Sequence, residues 1–257
     1  MSFLKMLMEE MMRLFSILSF LLLSLLSATH WSYEKHTGAK QWDKLHKDYA
    51  ICKTGKSQSP INIQHYYNAS GQENIIFTYH DLKPSTIAYS HNTLIAQFNH
   101  PTNSIVYRDH EYYLINLHFH LPMEFAIRGK HQPLSMHLVH QDSEGRLLVI
   151  GIGFKIGQEN PFFTPLFNAY NHKTPPQTLA LKTLLPTTIH YYHFNGSLTT
   201  PPCTEGVSWF IIEETISFSP KQFETIKKIM YHKTNQRPIQ KDYNSVIVKS
   251  FAVIRKH

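Results

Sequence analysis

The first residues in this 257-residue chain whose type and spacing could do chemistry are His118 and His120. Alternation along a strand spanning 112–121 puts Leu114, Asn116, His118 and His120 on one face and Tyr113, Ile115, Leu117 and Phe119 on the other. Two imidazoles then point the same way and could share a metal. Taken alone the pair is weak, because 18 histidines yield about one His-x-His by chance, and a surface doublet is the better account of it. The next segment changes the balance. Gly129-Lys130-His131-Gln132-Pro133 is rich in turn residues and leads into a second alternating run, 135–140. A hairpin of this kind brings His137 alongside His118 and His120. Three neutral imidazoles with a fourth position open to water form a catalytic zinc site, where the pKa of the bound water falls to about 7 and hydroxide becomes available as a nucleophile. His140, three residues past His137, is expected on the other side of the sheet.

Those histidines need a rigid frame. Short apolar runs separated by turn residues recur at 93–98, 112–121, 135–140, 147–154, 189–194 and 207–212, which predicts a large, mostly antiparallel sheet. Few helices are expected. The best candidate is 220–231, where Phe223, Ile226, Ile229 and Met230 form an apolar stripe at helical spacing and Lys221, Lys227 and Lys228 are left for solvent. Ser219 is placed to cap it, with Pro220 at its first position. The expected fold class is mainly β with some α: one domain on a large, twisted central sheet with few peripheral helices.

Hydrophobic residues at 42% and charged residues at 17%, with 16 Phe and 14 Tyr, describe a chain able to bury a large core rather than a disordered one. A net charge of +7 would suit nucleic acid if the basic residues clustered. The densest basic stretches, Lys227-Lys228 and Arg255-Lys256, are short, so no nucleic-acid partner is expected. At the N-terminus an apolar run, 14–26, follows Lys5 and Arg13 and ends in Ser27-Ala28-Thr29. The run is shorter than the roughly 18 residues a spanning helix needs and reads as a secretory signal over residues 1–28, with 29–257 as the mature domain. Glu9 and Glu10 are out of place in a leader and point to a start at Met11 or Met12. Export to the periplasm or the extracellular space, as a protein soluble after signal cleavage, is the expectation. In an oxidising compartment the only two cysteines, Cys52 and Cys203, are most simply paired with each other, two free thiols being the alternative. A bridge closing so long a loop would stabilise the fold by roughly 4 to 5 kcal/mol.

Leu117-His118-Phe119-His120, Met136-His137-Leu138-Val139-His140 and Asn195-Gly196-Ser197-Leu198-Thr199-Thr200-Pro201-Pro202 resemble the α-carbonic anhydrases, in that order and at compatible separations. So do Trp31-Ser32-Tyr33, Gln58-Ser59-Pro60-Ile61-Asn62-Ile63 and Asn235-Gln236-Arg237-Pro238. The similarity spans nearly all of the mature chain and leans towards secreted bacterial members. Cys52 and Cys203 fall where extracellular and bacterial members carry a disulfide.

The resemblance implies reversible hydration of carbon dioxide to bicarbonate and a proton, with one zinc per chain on His118, His120 and His137. In the family a threonine hydroxyl accepts the proton of the zinc hydroxide and donates its own to a glutamate; Thr199 and Glu124 match those positions. Val139, Val149, Leu198, Val207 and Trp209 match the wall of the carbon dioxide pocket, although core packing accounts for each one alone. Thr200 matches the bicarbonate contact, and the Thr199 backbone N–H matches the place where anions and sulfonamides bind. A homodimer is left open.

Three positions depart from the family pattern. Asn116 stands where many members have glutamine behind the first ligand. Ser135 stands where many have glutamate behind the third, so His137 is expected to have a neutral partner or a water and to retain zinc less well than in a Ser135→Glu variant. Alternation through 93–98 places Asn92, rather than His91, at the proton-shuttle position; His91 is one residue off, and buffer or another rim histidine could carry the proton instead. Two other functions fit the same residues. A catalytically silent binding domain of this type typically lacks a ligand histidine, whereas all three stand here. A zinc esterase would use the same hydroxide, but no polar pocket for a larger acyl group is evident.

Overall fold

Alternating side chains build the three strands at the centre of the molecule, His110–His120, Leu134–Gln141 and Leu147–Ile156, each antiparallel to the next. The computed structural model describes residues 30–69, 75–243 and 245–254. The proposed signal peptide and its alternative starts lie outside the described residues. Around the three strands runs a twelve-stranded sheet. Its main path is Tyr67–Asn68, Val248–Val253, Thr188–Ser197, Glu205–Ile212, Leu147–Ile156, Leu134–Gln141, His110–His120, Thr93–Gln97 and Thr86–Ser90. Most neighbours are antiparallel; Leu147–Ile156 is parallel to Glu205–Ile212 and Ile216–Phe218, and Val248–Val253 to Tyr67–Asn68. The mainly β, single-domain architecture matches the reading of the sequence.

The sheet is covered on both faces by apolar side chains. One face carries the larger core, in which Leu117, Phe119, Met136, Leu138, Ile150 and Ile152 pack against two helices. The first helix, Pro220–Ile229, starts where the sequence places it: Ser219 Oγ accepts from Gln222 N–H, and Gln222 Oε1 accepts from Ser219 N–H. It ends two residues earlier than the expected 231. The second, Phe163–His172, buries Phe163, Leu166, Phe167 and Ala169 at helical spacing and was not singled out in the sequence. The other face carries a smaller cluster that includes Phe125, Val139, Val149, Val207 and Trp209.

One expectation about faces needs correction. A β-bulge between Leu114 and Asn116 interrupts the alternation, so Leu114 is buried in the larger core with Leu117 and Phe119 instead of sharing a face with His118. Ile115 packs against the smaller cluster. One extra residue in the ladder reverses every assignment N-terminal to it.

Candidate metal centre

The strand register sets His118 directly opposite His137, with His120 two residues along. The ring centroids are 5.1 Å apart for His118 and His120, 5.3 Å for His118 and His137, and 4.5 Å for His120 and His137. One ligand atom from each residue lies within 4.8 Å of the others, and among the described residues no other trio of His, Cys, Asp or Glu side chains meets that condition. Burial holds the pKa of His118 and His137 well below the ordinary imidazole value, and the neighbouring imidazoles lower them further. Neutral imidazole is the form that ligates a metal.

Contacts behind the rings fix two of them. His118 Nδ1 donates to Asn116 Oδ1 at 2.9 Å, and His120 Nδ1 donates to the Asn235 carbonyl at 2.8 Å. Each contact leaves the lone pair on Nε2. His120 Nε2 is sealed from solvent with no hydrogen-bond partner, a buried acceptor that a cation would satisfy. Asn235 is itself pinned: its Oδ1 accepts from Leu121 N–H at 2.7 Å and its Nδ2 donates to the Phe119 carbonyl at 2.8 Å. The sequence offered Asn235 only inside the Asn235-Gln236-Arg237-Pro238 motif, with no role attached. Asn116 stands where it was expected, behind His118. Ser135 lies on the same face as His137, and its hydroxyl is buried without a partner.

Glu124 is fully buried beside this trio. Its Oε1 accepts the Arg237 backbone N–H at 2.9 Å, and its Oε2 lies 3.4 Å from His120 Nε2. Burial raises the Glu124 pKa above the usual carboxylate value; His120, the Thr199 hydroxyl and the Arg237 N–H pull it back towards the ionised form. The Arg237 guanidinium is also buried, donating to the carbonyls of Ser59 and Cys52 and to Gln58 Oε1 at 2.6–2.9 Å, and sits over the Trp42 ring. Arg237 was missed, although a buried arginine whose guanidinium hydrogen bonds all end on backbone or amide oxygen is the part that connects Glu124 to the N-terminal segment.

Thr199 is buried in the loop that follows strand Thr188–Ser197. Two backbone bonds close the loop, from Cys203 N–H to Thr200 O at 2.8 Å and from Leu198 N–H to Thr204 O at 2.9 Å. The Cys52–Cys203 disulfide is formed and ties the loop to a segment 151 residues away. Val139, Val149, Val207 and Trp209 belong to the smaller apolar cluster, and Leu198 packs against it. Trp209 is in edge contact with the His137 ring at 4.9 Å. All five expected wall residues are therefore on the histidine side of the sheet. His91 and Asn92 form the tip of the hairpin between Thr86–Ser90 and Thr93–Gln97, both with positive φ. His91 is exposed, hydrogen-bonded through Nδ1 to Ser90 Oγ at 2.8 Å, and close enough to lower the His118 pKa. His140 faces the larger core, as expected, with Nε2 2.8 Å from the Tyr79 hydroxyl.

The family profile described as eukaryotic-type carbonic anhydrase matches residues 37–251. The chain belongs to the eukaryotic-type, or α, carbonic anhydrase family. A carbonic anhydrase of Pectobacterium carotovorum is 34% identical over 239 residues, 86% of this chain and 91% of that protein. A carbonic anhydrase of Neisseria gonorrhoeae is also 34% identical, over 82% of this chain and 84% of the relative. The α-carbonic anhydrase of Thermovibrio ammonificans, solved with the inhibitor sulfanilamide, superposes with a TM-score of 0.78 at 32% identity, covering 86% of this chain and all of the other. The chain is thus an enzyme of the carbonic anhydrase type, a family whose reaction is the hydration of carbon dioxide. Among the described residues no helix is long and apolar enough to cross a membrane.

Proposed function

We propose that this chain catalyses the zinc-dependent, reversible hydration of carbon dioxide, with His118, His120 and His137 as the zinc ligands. The observation that carries the reading is the convergence of three imidazoles, His120 and His137 fully buried and His118 and His120 held by groups behind them, beside the buried Glu124 carboxyl. These residues fit zinc: three neutral nitrogen donors, a sealed and unpartnered Nε2 on His120, and no carboxylate among the ligands. Zinc, when bound, supplies a nucleophile at neutral pH by lowering the pKa of water to about 7.

The remaining steps belong to the protein. Ionised Glu124 can only accept hydrogen bonds, and Oε1 is already taken by Arg237, so Oε2 is left for the Thr199 hydroxyl. A hydroxyl that donates to Glu124 offers its lone pair to the nucleophile's proton and turns the nucleophile's own lone pair towards the substrate. Carbon dioxide carries no charge, and the apolar wall of Val139, Val149, Leu198, Val207 and Trp209 receives it by exclusion of water. Thr200 and the Thr199 backbone N–H take the bicarbonate product and competing anions or sulfonamides. Proton exit falls to His91 at the hairpin tip or to buffer. A His91→Ala variant separates them: turnover that falls in low buffer and recovers in high buffer assigns the step to His91, and unchanged turnover assigns it to buffer. Cleavage of a leader and export of the mature domain complete the reading, and the disulfide supports them.

Stopped-flow hydration of carbon dioxide, with and without a sulfonamide, tests the proposal alongside a zinc assay. Fast, sulfonamide-sensitive hydration by zinc-loaded protein is expected. Zinc-loaded protein without hydration activity would favour the silent binding domain.

A further inference from the structure

The three imidazoles are not backed alike. Asn116, two residues before His118 on the same strand face, reaches His118 Nδ1, and the Asn235 carbonyl reaches His120 Nδ1. Ser135 stands in the same relation to His137, two residues before it in strand Leu134–Gln141, but its side chain is one bond shorter in reach than asparagine's. Both Ser135 Oγ and His137 Nε2 are sealed from bulk solvent and lack a hydrogen-bond partner. Unsatisfied polar atoms in a folded core are costly.

The orientation of the ring says which nitrogen is free for the metal. Strand Leu134–Gln141 lies between His110–His120 on one side and Leu147–Ile156 on the other, and His137 is paired with His118 and with Gly151. The Cδ2 edge of His137 lies 3.8 Å from where a Cβ on Gly151 would sit, so that edge, which carries Nε2, faces away from His118. Nδ1 is then turned to His118 and His120. The residue opposite Ser135 is Gly153, and the side chains of Gln132 and Met123 pack over it, 3.0 and 3.1 Å from where its Cβ would sit. A cavity of about 290 Å³, lined by Met123, Gln132 and Gly153 among others, reaches that glycine from the surface.

We infer that an ordered water, entering through the Gly153 cavity, bridges Ser135 Oγ and His137 Nε2 and positions the third zinc ligand in place of a protein group. A polar site with two hydrogen-bonding walls and a route to solvent meets the needs of a buried water. Ser135 is a positioning residue: it touches neither substrate nor metal, and acts on zinc by setting the His137 ring. The inference rests on the zinc reading above.

Zinc release to a chelator in excess tests it, on the metal-loaded full chain and on Ser135→Ala, Ser135→Thr and Ser135→Gln variants. Partners behind metal-ligating histidines typically contribute about 10- to 100-fold in affinity. Removing one anchor of the water in Ser135→Ala should speed zinc release about tenfold. Ser135→Thr keeps the hydroxyl and should restore the wild-type rate, and Ser135→Gln, which can reach the ring directly, should slow release about tenfold. The visible spectrum of the cobalt-substituted proteins should shift in Ser135→Ala and return in Ser135→Thr. Equal release rates and equal cobalt spectra in Ser135→Ala and wild type would overturn the inference, as would a Ser135→Ala effect confined to the melting temperature of the metal-free protein. Failure of the wild-type chain to bind zinc at all would instead overturn the zinc reading itself.

Discussion

The two faces of the central sheet both bury neutral histidines, and only one of them builds a site. On the front face His118, His120 and His137 converge within 4.8 Å. On the back face His140 is stacked on Tyr79, and His193 lies on Phe210 with Nδ1 3.4 Å from the Tyr107 hydroxyl. Burial drops the His140 pKa to about 3 and the His193 pKa to about 4, so imidazoles are held neutral on the face without a cluster as well as on the face with one. Burial alone does not mark function. What separates the faces is that the front imidazoles share a focus, with polar groups holding His118 and His120 from behind, whereas His140 and His193 stand apart from each other, each against an aromatic ring.

The sharpest break of that comparison is to delete one imidazole from each face. His118→Ala should lose stoichiometric zinc and bring hydration down to the uncatalysed rate. His140→Phe should keep one zinc per chain and lose about 1–3 kcal/mol of stability, because the Tyr79 hydroxyl is left unpaired. Metal analysis paired with chemical denaturation reads both. Next in size, Thr199→Ala should cut kcat/KM about 100-fold with zinc content unchanged, since on the proposed reading it removes the group that aims the nucleophile without touching a ligand. An equal loss of zinc in that variant would place Thr199 in the structural frame instead.

The disulfide and the back-face histidines give smaller effects, read in stability. Cys203→Ser should lower unfolding free energy by about 2–5 kcal/mol, and should reduce activity too, because the bridge anchors the Thr199 loop. For His140 and His193 the folded pKa values lie below the unfolded value of 6.5. Between those limits the unfolded chain binds protons that the native protein does not, so stability is fullest above about pH 6.5 and falls as the pH drops towards 4 and 3. Each imidazole contributes a slope of about 1.4 kcal/mol per pH unit. Denaturation midpoints at pH 7, 6 and 5 check this, a window above the range where carboxylates protonate; a flat profile from 7 to 5 would contradict it.

Much of the front face was legible in the sequence, because ligand spacing in a strand is set by a period of two and the second strand follows by a turn-rich link. The structure brings His118, His120 and His137 together, with Glu124 buried beside His120. The bulge at Leu114–Asn116 was not legible, since nothing in Tyr113-Leu114-Ile115-Asn116 marks an extra residue in the ladder. The helix Phe163–His172 was hidden by Pro165 and by aromatic residues that also suit strands. Asn235 and Arg237 act through a backbone carbonyl and a backbone N–H, and such roles leave no trace in side-chain type.

The central claim is that the front face is a zinc site that hydrates carbon dioxide. The most direct test is reconstitution: strip the chain of metal, add zinc in steps, and follow stopped-flow hydration at each step. Activity should rise in proportion to zinc and stop rising at one equivalent per chain. Activity that is absent at one full equivalent, or that is undiminished in the metal-free protein, would contradict it.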